Sequence, residues 1–194
     1  FDTSAIESFD LPDGLEHIGY SAFSGCTNLK EITIPESVKQ SEETMTIVTN
    51  AMYGITKEVC LSDAWFTNCT SLEKVTLPTG FTFIGEECFS GCTSLEEFVI
   101  PEGITRIGKK AFFECCNYND NFKGLKKVVF SSTVKEVGES AFDGCYALQD
   151  IELNNGLETI GDYAFHFEMV TGADFIPEYK TKLVIPDRSE EHTS

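Results

Sequence analysis

No stretch of 18 consecutive apolar residues occurs in the 194-residue sequence, so no segment of it reads as a membrane-spanning helix. Basic residues are scarce, with 14 lysines and arginines against 32 acidic residues and a formal charge of -18. A nucleic-acid binder needs a basic face to displace counterions from phosphates, and no basic cluster is present to form one. The same sign disfavours an anionic membrane surface. The acidity reads most simply as a solvated exterior. Histidine is limited to His17, His166 and His192, and none accompanies a recurring Ser, Cys or Asp. No nucleophile and base can therefore be paired from sequence. The opening Phe1-Asp2-Thr3 carries no Met, basic region or apolar leader, as expected of a chain that begins inside a repeat.

What the sequence does have is 41% hydrophobic residues with 16 phenylalanines, and they recur at a fixed period. LEKVTLP at 72–78 and LEEFVIP at 95–101 lie 23 residues apart. The unit reads L-x-x-(I/V/F)-x-(I/L)-P, a short turn, then I-G-x-x-A-F-x-x-C. Leu29, Leu72, Leu95, Leu125 and Leu148 open successive strands, with Ile6 in that place at the start. The step from Leu95 to Leu125 is 30, because residues 116–123 add a polar loop. The step from Leu29 to Leu72 is 43, close to two units. Residues 57–61 are accordingly assigned the strand of a degenerate repeat within 39–62, with Ala51-Met52 in place of Ala-Phe. A last strand is expected at 182–186.

Each column of the unit has a physical reason. Alternation in Ile32-Thr33-Ile34 and Val75-Thr76-Leu77 has period two, so one face is buried and the other free. Pro12, Pro35, Pro78, Pro101 and Pro186 end strands, since proline removes a ladder donor. Gly19, Gly85, Gly108, Gly138 and Gly161 mark either a sharp turn or a close approach to a neighbour. About one helical turn carrying Ala-Phe is expected after each. Phe23, Phe66, Phe89, Phe112, Phe142 and Phe165 share one position and should stack as a spine at strand spacing, about 4.8 Å.

The copies at 11–35 (LPDGLEHIGYSAFSGCTNLKEITIP) and 100–115 (IPEGITRIGKKAFFEC) resemble the BspA-like leucine-rich repeats, named for a bacterial surface protein A. The resemblance runs from about Ile6 to Pro186, with gaps at 39–56, 116–123 and 166–179. It implies an α/β solenoid, a right-handed superhelix with short parallel strands on the concave face and short helical turns on the convex face. It also implies a non-enzymatic, cell-surface or secreted protein that binds other proteins, often as an adhesin. Ser131 and Asn154 stand where the strand-ending Pro is expected. Neither end shows a polar cap, so residues 1–187 are read as one array of about seven to eight repeats, part of a longer one. Residues 188–194, RSEEHTS, are what one frame of a sequencing-adapter oligonucleotide encodes, and are set aside as a non-native tail.

Chemistry finds little purchase in this pattern. Cys26, Cys69, Cys92, Cys115 and Cys145 share a column, and Cys88 takes an Ala position. Parallel side vectors suit disulfides poorly, and these thiols read as small core hydrophobes. Neither Cys115-Cys116 nor Cys88-x3-Cys92 has a zinc spacing. Pairs such as Glu86-Glu87 and Glu96-Glu97 recur with the unit, without the convergent cleft a glycosidase requires. The 117–121 loop, NYNDN, lacks the acidic ligands and Gly of a calcium loop. No metal or cofactor is expected. Asn68-Cys69-Thr70 is a formal glycosylation sequon within the core column.

The outward strand positions are the candidate binding surface. One column reads Glu31, Glu58, Lys74, Glu97, Lys127, Asp150 and Lys182, alternating in sign from Lys74 onward as cross-strand pairing favours. The next reads Asp10, Thr33, Cys60, Thr76, Val99, Val129 and Glu152, weakly apolar in the middle and charged at the ends. Strand faces favour Val and Thr in any case. The candidate protein-binding residues are therefore Glu31, Thr33, Lys74, Thr76, Glu97, Val99, Lys127, Val129, Asp150 and Glu152. The loops at 39–56 and 116–123 are alternative recognition sites. An intracellular scaffold, or the repeat region of a larger enzyme, would share every one of these features.

Overall fold

The computed structural model describes residues 6–50, 55–117, 119–166 and 182–184. The expected Ala51-Met52 feature, Pro186 and the 188–194 tail lie outside them. Three-residue parallel strands recur along the array in two sheets, one of β1 (Glu31–Thr33) and β4 (Lys74–Thr76), the other of β6 (Glu97–Val99), β10 (Lys127–Val129), β12 (Asp150–Glu152) and β14 (Lys182–Val184), while the strand expected to open at Ile6 does not form. A second parallel ladder joins β5 (Phe83–Ile84), β7 (Arg106–Ile107), β11 (Glu136–Val137) and β13 (Thr159–Ile160). Two antiparallel hairpins interrupt the repeats, β2 (Thr44–Asn50) with β3 (Ile55–Cys60), and β8 (Cys116–Asn117) with β9 (Lys123–Gly124).

The first hairpin corrects the sequence reading. β1 pairs directly with β4, Glu31 opposite Lys74 and Thr33 opposite Thr76. The 43-residue step is thus one 23-residue unit carrying a 20-residue insertion. Residues 57–60 form the second arm of that hairpin and contribute no strand to the array, so Glu58 and Cys60 leave the two outward columns. Leu61-Ser62 through Phe66 then repeats the Ile84-Gly85 through Phe89 pattern. Where the insertion leaves the array, the Gln40 side chain stands in for a strand. Its Oε1 accepts from Thr82 N at 2.7 Å and Phe83 N at 3.2 Å, and its Nε2 donates to Phe83 O at 2.5 Å.

The phenylalanine column stacks as expected. Successive centroids from Phe23 to Phe165 lie 5.4, 5.5, 5.2, 5.0 and 5.3 Å apart, with rings within 18° of parallel. Phe66, Phe89, Phe112 and Phe142 are wholly buried. The leucine and cysteine columns pack around them in one continuous core.

The expected helical turn beside each spine Phe is absent among the described residues, and the backbone shows why. Two residues before each Phe, the chain is left-handed at Ser21, Ala64, Glu87, Lys110, Ser140 and Tyr163. Two residues after, it is left-handed again at Gly25, Asn68, Gly91, Glu114 and Gly144. Alternation of hand turns the amides sideways. Phe66 N donates to Cys88 O at 2.8 Å, Phe89 N to Ala111 O at 2.7 Å and Phe112 N to Ala141 O at 2.8 Å. A segment whose donors point at the next repeat cannot satisfy them along its own axis as a helix does. Left-handed backbone at a non-glycine residue costs roughly 1–2 kcal/mol, here offset by those lateral bonds.

Four of the five glycines that follow Ile or Val serve the close approach, whereas a Cβ on Gly19 would meet nothing within 4 Å. None of Gly85, Gly108, Gly138 and Gly161 has a positive φ. A Cβ on Gly108 would stand 2.8 Å from Glu86 N, and one on Gly138 2.7 Å from Lys109 N. Successive turns thus touch backbone to backbone at this column.

Because each repeat buries its core only against its neighbours, Phe89→Ala should cost about 3–5 kcal/mol. The melting temperature should fall by several degrees, and an unchanged melt would reject the spine as the main support. Excising residues 41–60 restores the 23-residue unit and should leave a cooperatively folding array with near wild-type far-UV circular dichroism.

Candidate protein-binding face

Strand register places the ten candidate residues in two adjoining rows. Glu31 lies beside Lys74, and Lys127 lies between Glu97 and Asp150. Thr33 lies beside Thr76, and Val129 between Val99 and Glu152. Lys127 and Val129 are half-buried and the other eight are exposed. Val99 is 65% exposed, unusual for a valine in mid-strand.

The rows are not continuous. Ile100 N donates to Val129 O at 2.9 Å and Phe130 N to Glu152 O at 3.0 Å, but no corresponding bond joins β4 to β6. Val75 and Leu77 of the β4 segment are half-buried, whereas Phe98 and Ile100 are buried. The face therefore divides. Glu31, Thr33, Lys74 and Thr76 line a recess of about 410 Å³ together with Asp10. Glu97, Val99, Lys127, Val129, Asp150 and Glu152 form a second, separate group on β6, β10 and β12.

Charge pairing also differs from the expected ladder. Lys127 Nζ reaches Glu152 Oε1 at 3.3 Å, a diagonal pair linking the two rows. Within 4.0 Å no ion pair joins Glu31 to Lys74 or Lys127 to Glu97 or Asp150. Self-neutralisation occurs instead just off the face, where Lys30 meets Glu7 at 2.8 Å, Lys126 meets Glu96 at 3.0 Å and Lys135 meets Glu158 at 3.0 Å. Such exposed pairs contribute little each.

Several polar residues that look like departures tie one repeat to the next. Ser131 Oγ donates to Pro101 O at 3.0 Å, and Asn154 Nδ2 donates to Ser131 O and to Val134 O. Glu36 accepts from Thr79 N at 3.1 Å, and Glu102 accepts from Ser132 N at 3.1 Å. Part of the acidity is therefore structural.

The other candidates for chemistry resolve plainly. His166 Nδ1 lies 3.0 Å from Asp143 Oδ1, while Ser140 Oγ reaches the other oxygen of Asp143 at 3.3 Å. The carboxylate sits between histidine and hydroxyl, which is the wrong order for activating a nucleophile. Among the described residues no three potential metal ligands converge. All eight cysteines are free. The column thiols do more than fill space: Cys69 Sγ donates to Phe23 O at 3.1 Å, Cys92 to Phe66 O at 3.1 Å, Cys115 to Phe89 O and Cys145 to Phe112 O at 3.0 Å. Each spine carbonyl also accepts from the cysteine amide of its own repeat, so the thiol uses its second lone pair. Sequence showed the column but not this role, which needs the neighbouring turn in place.

A family model, the BspA type leucine rich repeat region, matches six copies over residues 1–119 and 117–181. The chain belongs to the BspA-type leucine-rich repeat family. Its solved likenesses are bacterial. A leucine-rich cell surface protein from Faecalibacterium prausnitzii is 29% identical, with a TM-score of 0.61 over 78% of this chain and 33% of that one. A leucine-rich repeat protein from Bacteroides ovatus is 25% identical, with a TM-score of 0.53 over 83% of this chain and 41% of that one. This BspA-type chain thus spans well under half the length of either. No curated protein matches it.

Burial holds the thiols of Cys69, Cys88, Cys92, Cys116 and Cys145 in the neutral form. The Cys69 thiol is pushed up to about 12, chiefly by burial and then by Cys26, and Cys116 to about 11, again by burial. Cys88, Cys92 and Cys145 are raised still more firmly by burial. An unfolded thiol ionises near about 8.5, so the folded protein holds more protons above that pH. Stability is then full below about pH 8.5 and declines as pH rises toward the folded values. The urea midpoint should be lower at pH 10 than at pH 8, and iodoacetamide at pH 8 should leave the five column cysteines unlabelled until the chain unfolds.

Proposed function

We propose that residues 1–187 act as one right-handed array, itself part of a longer one, whose first strand ladder is a concave protein-binding face. The array is non-enzymatic and recognises a surface or matrix protein by shape and side-chain complementarity, from the cell surface or in secreted form. The observation that carries this reading is the exposed Val99, with Val129 beside it, flanked by the charged residues of β6, β10 and β12. A weakly apolar centre with a charged rim is how a modest protein contact is built. The likeness to a leucine-rich cell surface protein supports the location. Many shallow contacts along a repeat face supply affinity by addition, without a deep pocket.

A second reading, an intracellular scaffold, is favoured by the eight free cysteines, since reduced thiols suit a reducing compartment. Recovery of the full-length transcript separates the two. A signal peptide upstream favours adhesion, and an initiator Met without one favours the scaffold.

Val99→Lys with Val129→Lys should weaken capture of surface or matrix proteins by at least about tenfold, the loss expected when charge enters a contact centre. Retained binding by a normally folded double variant would place recognition elsewhere.

A further inference from the structure

The turn that carries the spine phenylalanine ends alike in the first three repeats. It reads Gly25-Cys26-Thr27, Asn68-Cys69-Thr70 and Gly91-Cys92-Thr93. The first residue of each triplet has left-handed backbone, at φ 75°, 59° and 73°, a conformation that glycine takes freely and asparagine tolerates. The threonines form a column of their own, Thr70 Oγ1 donating to Thr27 O at 3.5 Å and Thr93 Oγ1 to Thr70 O at 3.3 Å. Asparagine in place of glycine in the second repeat therefore turns a structural triplet into Asn-x-Thr, the acceptor sequence for N-linked oligosaccharide. No other asparagine of the chain has Ser or Thr two residues on.

The fold presents this triplet outward. Asn68 and Thr70 are exposed, while Cys69 between them is buried. The backbone of Asn68 is fixed by its amide, which donates to Ser90 O at 2.7 Å. Its side-chain amide, by contrast, forms no hydrogen bond among the described residues. That side chain lies over Gly91, where a Cβ would collide with Asn68 Oδ1, and a Cβ on Gly25 would meet nothing within 4 Å. Glycine thus leaves room in the turns on either side. Residues 21–28, 64–71 and 88–94 contain no Asp, Glu, Lys or Arg, whereas Lys110, Glu114 and Asp143 enter the later turns. Asn68 therefore stands on an uncharged edge of hydroxyls and glycines, a surface along which a sugar can hydrogen-bond and which charge does not otherwise solubilise.

We propose that Asn68 is an N-glycosylation site. Its Nδ2 attacks C1 of the first sugar of an oligosaccharide carried on a lipid diphosphate. The N–C1 bond forms, the C1–O bond to the diphosphate breaks, the amide gives up one proton and the lipid diphosphate leaves. Transfer precedes closure of the turn, because the Cys69 thiol then bonds Phe23 O and the Asn68 amide bonds Ser90 O. Folding seals Cys69 beneath the surface and leaves the glycan outside. The proposal rests on the cell-surface or secreted reading, since a chain meets that donor only on crossing a membrane. Asn68 belongs neither to the strand rows nor to the recess over β1 and β4, so the glycan leaves the candidate binding face open.

The experiment expresses the full chain behind a secretion signal in cultured mammalian cells and treats lysate and medium with peptide N-glycosidase F. A single-step fall in apparent mass is expected, with Asn68 converted to aspartate in the peptide mass spectrum. Asn68→Gly restores the triplet of the first and third repeats, so it should abolish the shift and leave the thermal melt unchanged. Thr70→Val should also abolish the shift, and Thr70→Ser should retain it. Transfer is read in the lysate as well, so a variant that fails to fold still reports. An unmodified Asn68, or a shift that survives Asn68→Gly, overturns the site. Because the signal is supplied, that result leaves the surface reading standing. A natural transcript without a signal removes the surface reading instead, while the secreted chain still carries its glycan.

Discussion

The structure depends on lateral contact between turns. Within a repeat the backbone closes only short turns, such as Cys69 N to Phe66 O and Leu72 N to Cys69 O, and the alternating hand of the turn segment aims amides such as Phe66 N and Phe89 N at the next repeat. The same turns carry the phenylalanine stack, with centroids 5.0–5.5 Å apart. Stack, thiol ladder and lateral amides therefore form together or not at all. An isolated unit of this kind would expose both faces of its Phe and both sets of backbone groups to water.

How much of this the sequence shows follows from which features repeat in residue identity. Phe, Leu, Cys and the strand-ending Pro recur as letters, so the spine, the ladder register and the ten outward candidates were legible. The left-handed position after the spine is not, because Gly25, Gly91 and Gly144 share it with Asn68 and Glu114. The turn was accordingly expected to be helical. The hairpin was missed because a 43-residue step lies near twice 23 and its arms alternate as repeat strands do. The division of the face between β4 and β6 left no mark in the sequence, since LEKVTLP and LEEFVIP are nearly the same string.

Acidity has more than one cause in this chain. Glu36 and Glu102 bond the first turn of the following repeat. Glu7, Glu96, Glu139 and Glu158 pair with lysines one repeat away. Asp63 anchors the base of the insertion.

The interruption between β4 and β6 has a mechanical meaning. At other junctions of the first ladder a pull along the array's axis must break strand bonds such as Ile100 N to Val129 O as well as turn bonds. Between β4 and β6 the strand bonds are missing, and the turn amides, the side-chain bonds of Asp63, Thr67 and Thr93, the thiol of Cys92 and the Phe66–Phe89 stack resist. The first ladder is thus split into two strand groups that turn bonds, side-chain bonds and core packing hold together.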